Sequence, residues 1–312
     1  MSRASEHPRR AHANAHASVG TPVIAARARS LLLIALSLAV TSCAGAGGVE
    51  TGRPRPSDVP YPAVLGSSDE RRAKALAAWN ALATAQGATA PLVSVPEIDP
   101  ATGSLRALPA NASVALRIPF VGAPGKTEMT EDEERESLRR FIAEHSALLG
   151  VEPADLSLVE HARPDSGPRV ARYRQSPFDF PLRGDYGRLE IAYDTERRVV
   201  SLTNTSLPDS PQLERALSGA RTLKADEVVR TLVGRNVAFT GRDGRQQTRA
   251  VTSADEISLR EIVVYPVRNE AGAPLLALHL AWEVVVWQDA PVHLYLDAVT
   301  GAQLAAAPAD PS

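Results

Sequence analysis

The chain has 312 residues, of which 44% are hydrophobic and 22% charged, a balance that supports one or two buried cores rather than a disordered chain. Lys+Arg total 34 against Asp+Glu 36, so no basic excess points to nucleic acid as a partner. The single cysteine excludes a disulfide framework and a multi-cysteine zinc site.

The N-terminus reads as an address. Arg3, Arg9, Arg10, Arg27 and Arg29 precede a ten-residue apolar run, Leu31 to Val40. That run is too short to span a bilayer, which takes about 20 residues. A basic stretch followed by a short apolar run is instead the pattern of a secretory signal. The run closes on Val40-Thr41-Ser42-Cys43, which resembles the bacterial lipobox and makes Cys43 the lipidation site. The competing reading is an ordinary signal peptide with an incidental cysteine. Without residues 1 to 42, which hold five arginines and one glutamate, the body has Lys+Arg 29 and Asp+Glu 35. Attachment to a membrane is therefore expected through the lipid, not through direct binding to anionic headgroups. Ala44 follows the cysteine, and the expected location is the cell envelope, on the outer membrane where the cell has one.

Residues 44 to 67 are rich in Gly, Pro and Ser and read as a tether. Ala75, Leu76, Trp79 and Leu82 then recur at helical spacing within a predicted helix from Ser68 to Gln86. A strand follows over Leu92 to Ile98, and Asp99-Pro100-Ala101-Thr102-Gly103 carries turn chemistry, with Leu105 in the returning arm. Another strand is expected over Ala115 to Val121. In the helix after it, Thr130 and Glu133 form a capping box, Leu138, Phe141, Ile142, Leu148 and Leu149 line the apolar face, and Gly150 closes it. Strands are predicted over Leu156–Glu160, Arg169–Gln175, Arg188–Tyr193 and Val199–Leu202, with a proline-containing linker at 204 to 212. The second half repeats the plan. It has a helix over Lys224 to Gly234 and strands over Glu261–Val267, Leu275–Gln288 and Val292–Leu296. The turn Asp297-Ala298-Val299-Thr300-Gly301 precedes a last arm starting at Leu304, and small residues to Ser312 follow as a frayed end. The expected class is α+β, two modules that each pack a helix on a meandering antiparallel sheet.

No catalytic constellation emerges. Gly125-Lys126-Thr127 lies where a phosphate loop would, but Phe120 stands in place of the first P-loop glycine. Asp165-Ser166-Gly167 is flanked by Pro164 and Pro168 and reads as a hairpin loop, not a nucleophile segment. His12 and His16 have zinc-protease spacing without the glutamate. His279 with Glu283, and His293 with Asp297, are four apart in strand-like sequence, about 13 Å, too far for one metal. Trp282 and Trp287 fall on opposite faces of one strand, which predicts one core tryptophan and one at an edge or binding surface. No catalytic residue, metal or cofactor is expected, and no individual ligand-binding residue is identified.

The ordered segments resemble a known pair of modules. Residues 90–207 resemble the FTP (fungalysin/thermolysin propeptide) domain. The resemblance rests on the Asp99–Gly103 turn, Phe141-Ile142-Ala143-Glu144-His145-Ser146-Ala147-Leu148-Leu149-Gly150, Arg172-Tyr173-Arg174-Gln175, and Phe180-Pro181-Leu182-Arg183-Gly184. Residues 214–305 resemble a PepSY module through the Lys224 helix, Glu261-Ile262-Val263-Val264-Tyr265-Pro266, Leu280-Ala281-Trp282-Glu283-Val284, and the Asp297–Gly301 turn. Ser176-Pro177-Phe178-Asp179 and Tyr186 depart from the family's small, flexible residues. This order is that of propeptides of M4 and M36 zinc metalloproteases, in which a catalytic domain follows the second turn. The resemblance therefore implies binding, not hydrolysis. It points to a non-catalytic, membrane-anchored, propeptide-like protein that inhibits or assists folding of a secreted metalloprotease. The alternatives are an envelope scaffold or sensor, or part of a split or truncated protease precursor. The expected organisation is a lipoprotein signal peptide at 1–42, lipidated Cys43 and tether at 43–67, a helix at 68–89, the FTP-like module at 90–207, a linker at 208–213, the PepSY-like module at 214–305 and a flexible tail at 306–312.

Overall fold

A computed structural model of the chain describes residues 60–86, 94–109, 116–123, 125–269 and 274–309. The expected signal peptide, Cys43 and the tether up to residue 59 lie outside the described residues.

Strand β1 (Ala63–Gly66) leads into helix α1 (Asp69–Ala85). Ser68 caps α1 by accepting the Arg71 N–H, and Asp69 and Glu70 place negative charge at the positive end of the helix dipole. Ala75, Trp79 and Ala83, spaced by four, form its buried stripe. Short strands β2 (Glu97–Ile98) and β3 (Leu105–Ala107) flank the first aspartate turn. Helix α2 (Glu131–Glu144) starts on the expected capping box: Thr130 Oγ accepts the Glu133 N–H, and the Glu133 carboxylate accepts the Thr130 N–H at 2.7 Å. A one-turn helix α3 (Ser146–Leu149) continues it and ends on Gly150 at φ 70°, a left-handed stop that favours glycine. Then come β4 (Leu156–Ala162), β5 (Arg169–Gln175), β6 (Arg188–Tyr193), β7 (Val199–Asn204), α4 (Ser210–Ser218) and α5 (Ala225–Leu232). Strands β8 (Asn236–Thr240), β9 (Gln246–Ala250), β10 (Ile257–Asn269), β11 (Leu275–Val286), β12 (Val292–Asp297) and β13 (Gln303–Pro308) complete the described chain.

The strand pairs are antiparallel, and the class is α+β as expected. One sheet runs β2-β3-β7-β6-β5-β4. In the other, β10 pairs with β11 from residue 275 to 286, while β1 and β12 take successive stretches of the opposite edge, residues 275–278 and 281–286, and β13 follows β12. Strands β8 and β9 form a separate hairpin.

Three cores result. Trp79, Leu138, Phe141, Ile142, Leu148 and Leu149 pack α1, α2 and α3 on the first sheet. Val228, Leu232, Val284, Trp287 and Leu294 join α5 to the far end of the second. Between them a middle core gathers Leu65 of β1, Leu182 from the β5–β6 connection, Leu213 and Leu217 of α4, and Leu276, Leu278 and Leu280 of β11. Each large side chain so buried is worth roughly 1.5–3 kcal/mol.

Four expectations are corrected. The tether's last residues, 63–66, are β1, a strand of the second sheet. The linker overlaps α4, which begins at Ser210 and buries Leu213 and Leu217. Residues 306–308 of the expected tail belong to β13, where Pro308 opposes Val292. Of the strand expected over 115–121, the described part contributes one bridge, Arg117 to Arg198; Pro119, with no N–H, is unsuited to a longer ladder. The β8–β9 hairpin was not anticipated, since its polar strands lack an apolar alternation.

Candidate functional site

Both sheets carry the same five-residue turn, between β2 and β3 and between β12 and β13. Asp99 Oδ1 accepts the N–H groups of Ala101 and Thr102 at 2.9 and 3.0 Å; Asp297 Oδ1 accepts those of Val299 and Thr300 at 2.9 and 2.7 Å. Gly103 and Gly301 each donate an N–H to the aspartate carbonyl at 2.8 Å, and both have φ 73°. A side chain with two acceptors at the first position and glycine at the last produces this geometry locally.

The second carboxylate oxygen reaches tertiary partners. Asp99 Oδ2 accepts from Arg268 of β10 at 2.6 Å, and the same guanidinium bonds the Tyr186 hydroxyl. Asp297 Oδ2 accepts from the Tyr61 hydroxyl at 3.0 Å and from His279 Nδ1 at 2.6 Å. Burial works to raise both acids, but the donors outweigh it: Asp99 is lowered, by Thr102, Arg268 and Ala101, and Asp297 is lowered to about 2, by His279 and the Thr300 and Val299 N–H groups. Burial, then the Asp297 charge, pushes the Tyr61 phenol up, so it stays a donor. With four donors on one carboxylate, Asp297 is a latch tying β1 to β11 and β12.

The histidines singled out in sequence meet acids, but not along one strand. His279 pairs with Asp297, and His293 Nδ1 lies 3.4 Å from Glu283 Oε1. The register Ala281↔Asp297 and Val285↔His293 makes both pairs diagonal neighbours across β11 and β12. Among the described residues, no group of three or more His, Cys, Asp or Glu could hold a metal ion. The tryptophan expectation is corrected. Trp287 follows β11 at φ 58°, and this left-handed residue turns its ring back, so that both tryptophans join the same core. Each indole N–H is satisfied: Trp282 by the Leu223 carbonyl at 3.1 Å, Trp287 by that of Ala250 at 3.3 Å. Lys126 pairs with Glu133 at 3.3 Å, and Gly167, at φ 99°, lies in the loop joining β4 to β5.

Sequence reasoning missed a buried cluster on α2. Glu134 is 1% exposed; its carboxylate meets Arg163 at 2.7 Å, Arg169, the Tyr193 hydroxyl at 3.3 Å and His161 Nε2 at 3.3 Å. Burial lowers the His161 pKa against the pull of Glu134, which favours the neutral ring. The signal was present: Glu134 stands four residues before Leu138 and seven before Phe141, on the apolar stripe itself.

Arg71 was missed as well, and it organises the seam between the sheets. It bonds the Thr102 carbonyl at 3.0 Å, the Gly66 carbonyl and the Asp209 carboxylate at 2.7 Å. Beside it, a groove of about 1150 Å³ runs between β1 and α4, lined by Pro62, Val64, Leu213, Arg215 and Ala216. Val64 is 54% exposed there. On the far side of the seam, the Arg183 N–H donates to the Val264 carbonyl at 3.0 Å, the Val264 N–H donates to the Pro181 carbonyl at 2.8 Å, and Phe178, Phe180 and Tyr186 pack on the middle core. Phe178, Phe180, Leu182 and Tyr186 together dock the β5–β6 connection on the second sheet.

No family profile and no curated protein matches this chain. Among solved structures it is similar to the Bacillus megaterium YpeB C-terminal domain, at 10% identity and a TM-score of 0.23, over 79% of this chain and 99% of that one. A likeness that distant carries no argument about activity.

Proposed function

We propose that this chain is a non-catalytic, exported and lipid-anchored binding protein of the propeptide type, whose partner is a secreted zinc metalloprotease that it inhibits or helps to fold. The supporting observation is the ordered pair of FTP-like and PepSY-like segments. Their two aspartate turns, far apart in sequence, close hairpins in separate sheets with the same hydrogen bonds. The groove beside β1 adds a place for an extended partner segment, since β1 is an end strand and peptides commonly add to such edges.

The test is capture on the immobilised full chain, held in mild detergent, from the secreted and envelope fractions of its own cell. Mass spectrometry of the bound material should identify a zinc metalloprotease, and adding the chain to that enzyme should slow its hydrolysis of a peptide substrate or speed its refolding. Recovery of envelope components without any peptidase, on a folded bait, sinks the protease reading in favour of a scaffold or sensor.

A further inference from the structure

The outward face of the first sheet carries its charge unevenly. On β5, Val170, Arg172 and Arg174 alternate with the buried Ala171, Tyr173 and Gln175. Arg172 is answered on both sides, by Glu160 of β4 at 2.6 Å and Glu190 of β6 at 2.7 Å. One step along, Arg174 stands opposite Ser157 on β4 and opposite Arg188 on β6.

Two arginines directly across a ladder repel, and the sheet does not relieve them. Among the described residues neither Arg174 nor Arg188 has a carboxylate partner; the Arg188 guanidinium donates to the Gly184 carbonyl, at 2.9 Å. The neighbouring Arg183 is engaged elsewhere, by Glu261 at 2.6 Å and Glu283 at 3.1 Å. Desolvation first, and then the charges of Arg188 and Arg183, lowers the Arg174 pKa. Both side chains are exposed, and the outward row of β7 and its extension adds the hydroxyls of Thr203 and Thr205.

We propose that Arg174 and Arg188 form a binding site for the carboxylate side chains of an acidic, extended peptide segment lying across the open face of the first sheet. A carboxylate placed between the two guanidinium groups restores the acid–base alternation that the Arg172 row already has. Guanidinium forks fit a carboxylate in two-bond geometry, which lysine cannot reproduce. A pleated face without walls suits an extended chain, whose alternate side chains point the same way, better than a small free anion. This site is distinct from the groove beside β1 and does not depend on the partner being a protease.

The probe is a fluorescent synthetic peptide of alternating Glu and Thr, titrated into the full chain in detergent and read by anisotropy. A Gln/Thr peptide is the control and inorganic phosphate the competitor. The Glu peptide should bind at least tenfold more tightly than the Gln peptide. Arg174→Gln and Arg188→Gln should each weaken it at least tenfold, with unchanged circular dichroism. Arg172→Gln should shift it less than threefold, and Arg174→Lys should fall between wild type and Arg174→Gln. Equal binding of the two peptides, or an unchanged affinity in Arg174→Gln and Arg188→Gln, overturns the site. Displacement by phosphate at its own comparable affinity overturns the peptide as occupant and leaves a small-anion site.

Discussion

The turns at Asp99 and Asp297 share a backbone and differ in what holds their outer oxygen. Asp99 is held by an arginine that also serves Tyr186, whereas Asp297 is held by a histidine of β11 and by Tyr61, two residues ahead of β1. A local motif can thus specify a turn completely and leave its tertiary role open. The first turn docks one sheet on the other; the second locks the strand β1 that precedes α1 onto the second sheet.

The largest expected effect tests that difference directly. Asp297→Ala strands two backbone N–H groups, a phenol and an imidazole in a buried site, and should cost about 3–5 kcal/mol in urea unfolding. Asp99→Ala should cost less, about 1–3 kcal/mol, because Arg268 is 35% exposed and keeps Tyr186. Equal losses would mean that the tertiary partners add nothing to the turns.

The glycines break the symmetry in the opposite sense. An added Cβ at Gly103 would meet Arg71 Cβ at 2.9 Å and the Arg72 nitrogen at 3.2 Å, while at Gly301 the nearest atoms are 3.5 Å away. Gly301→Ala should therefore cost only the left-handed penalty, about 1–2 kcal/mol, and Gly103→Ala clearly more. Thermal melts of the two variants decide the order.

Acid should reveal the Asp297 latch. Its folded pKa, about 2, lies below the ordinary 3.8, so it contributes stability that is complete above about pH 4 and is lost as pH falls toward 2. The gap in melting temperature between wild type and Asp297→Asn should narrow across that window; a constant gap would refute the latch as a charged one. The smallest effects lie on the open sheet face and have opposite signs. Arg188→Gln removes a like-charge pair and should stabilise by about 0.2–1 kcal/mol. Arg172→Gln loses two exposed ion pairs and should destabilise by no more than about 1 kcal/mol. Both are measurable as shifts in the urea midpoint.

Much of the fold was legible because it is local. The Thr130–Glu133 box, the Gly150 stop, the aspartate turns and the limits of β5 and β6 follow from residues within a few positions of one another. What escaped prediction was β1, four residues in a proline-rich stretch, whose partner Leu275–Leu278 lies over 200 residues away. The short α4 escaped too, because Pro208 and Pro211 read as a linker, although Pro211 sits in the first turn, where its missing N–H costs nothing. The acids and histidines on β11 and β12 were legible as residue types but not as pairs, since their partners are set by the register between strands.

By itself the sequence determined the class, the helices α1, α2 and α5 with the strands β4 to β7 and β10 to β12, and two turns whose side chains bond their own backbone. Only the tertiary structure decided that β1 joins the second sheet, that Glu134 is buried among two arginines, that Trp287 returns to the core, and that Arg174 faces Arg188. The physical reason is range. Caps and turns are satisfied within one stretch of chain, whereas edge pairing, buried charge and cross-strand neighbours depend on the register and packing of segments that sequence proximity does not bring together.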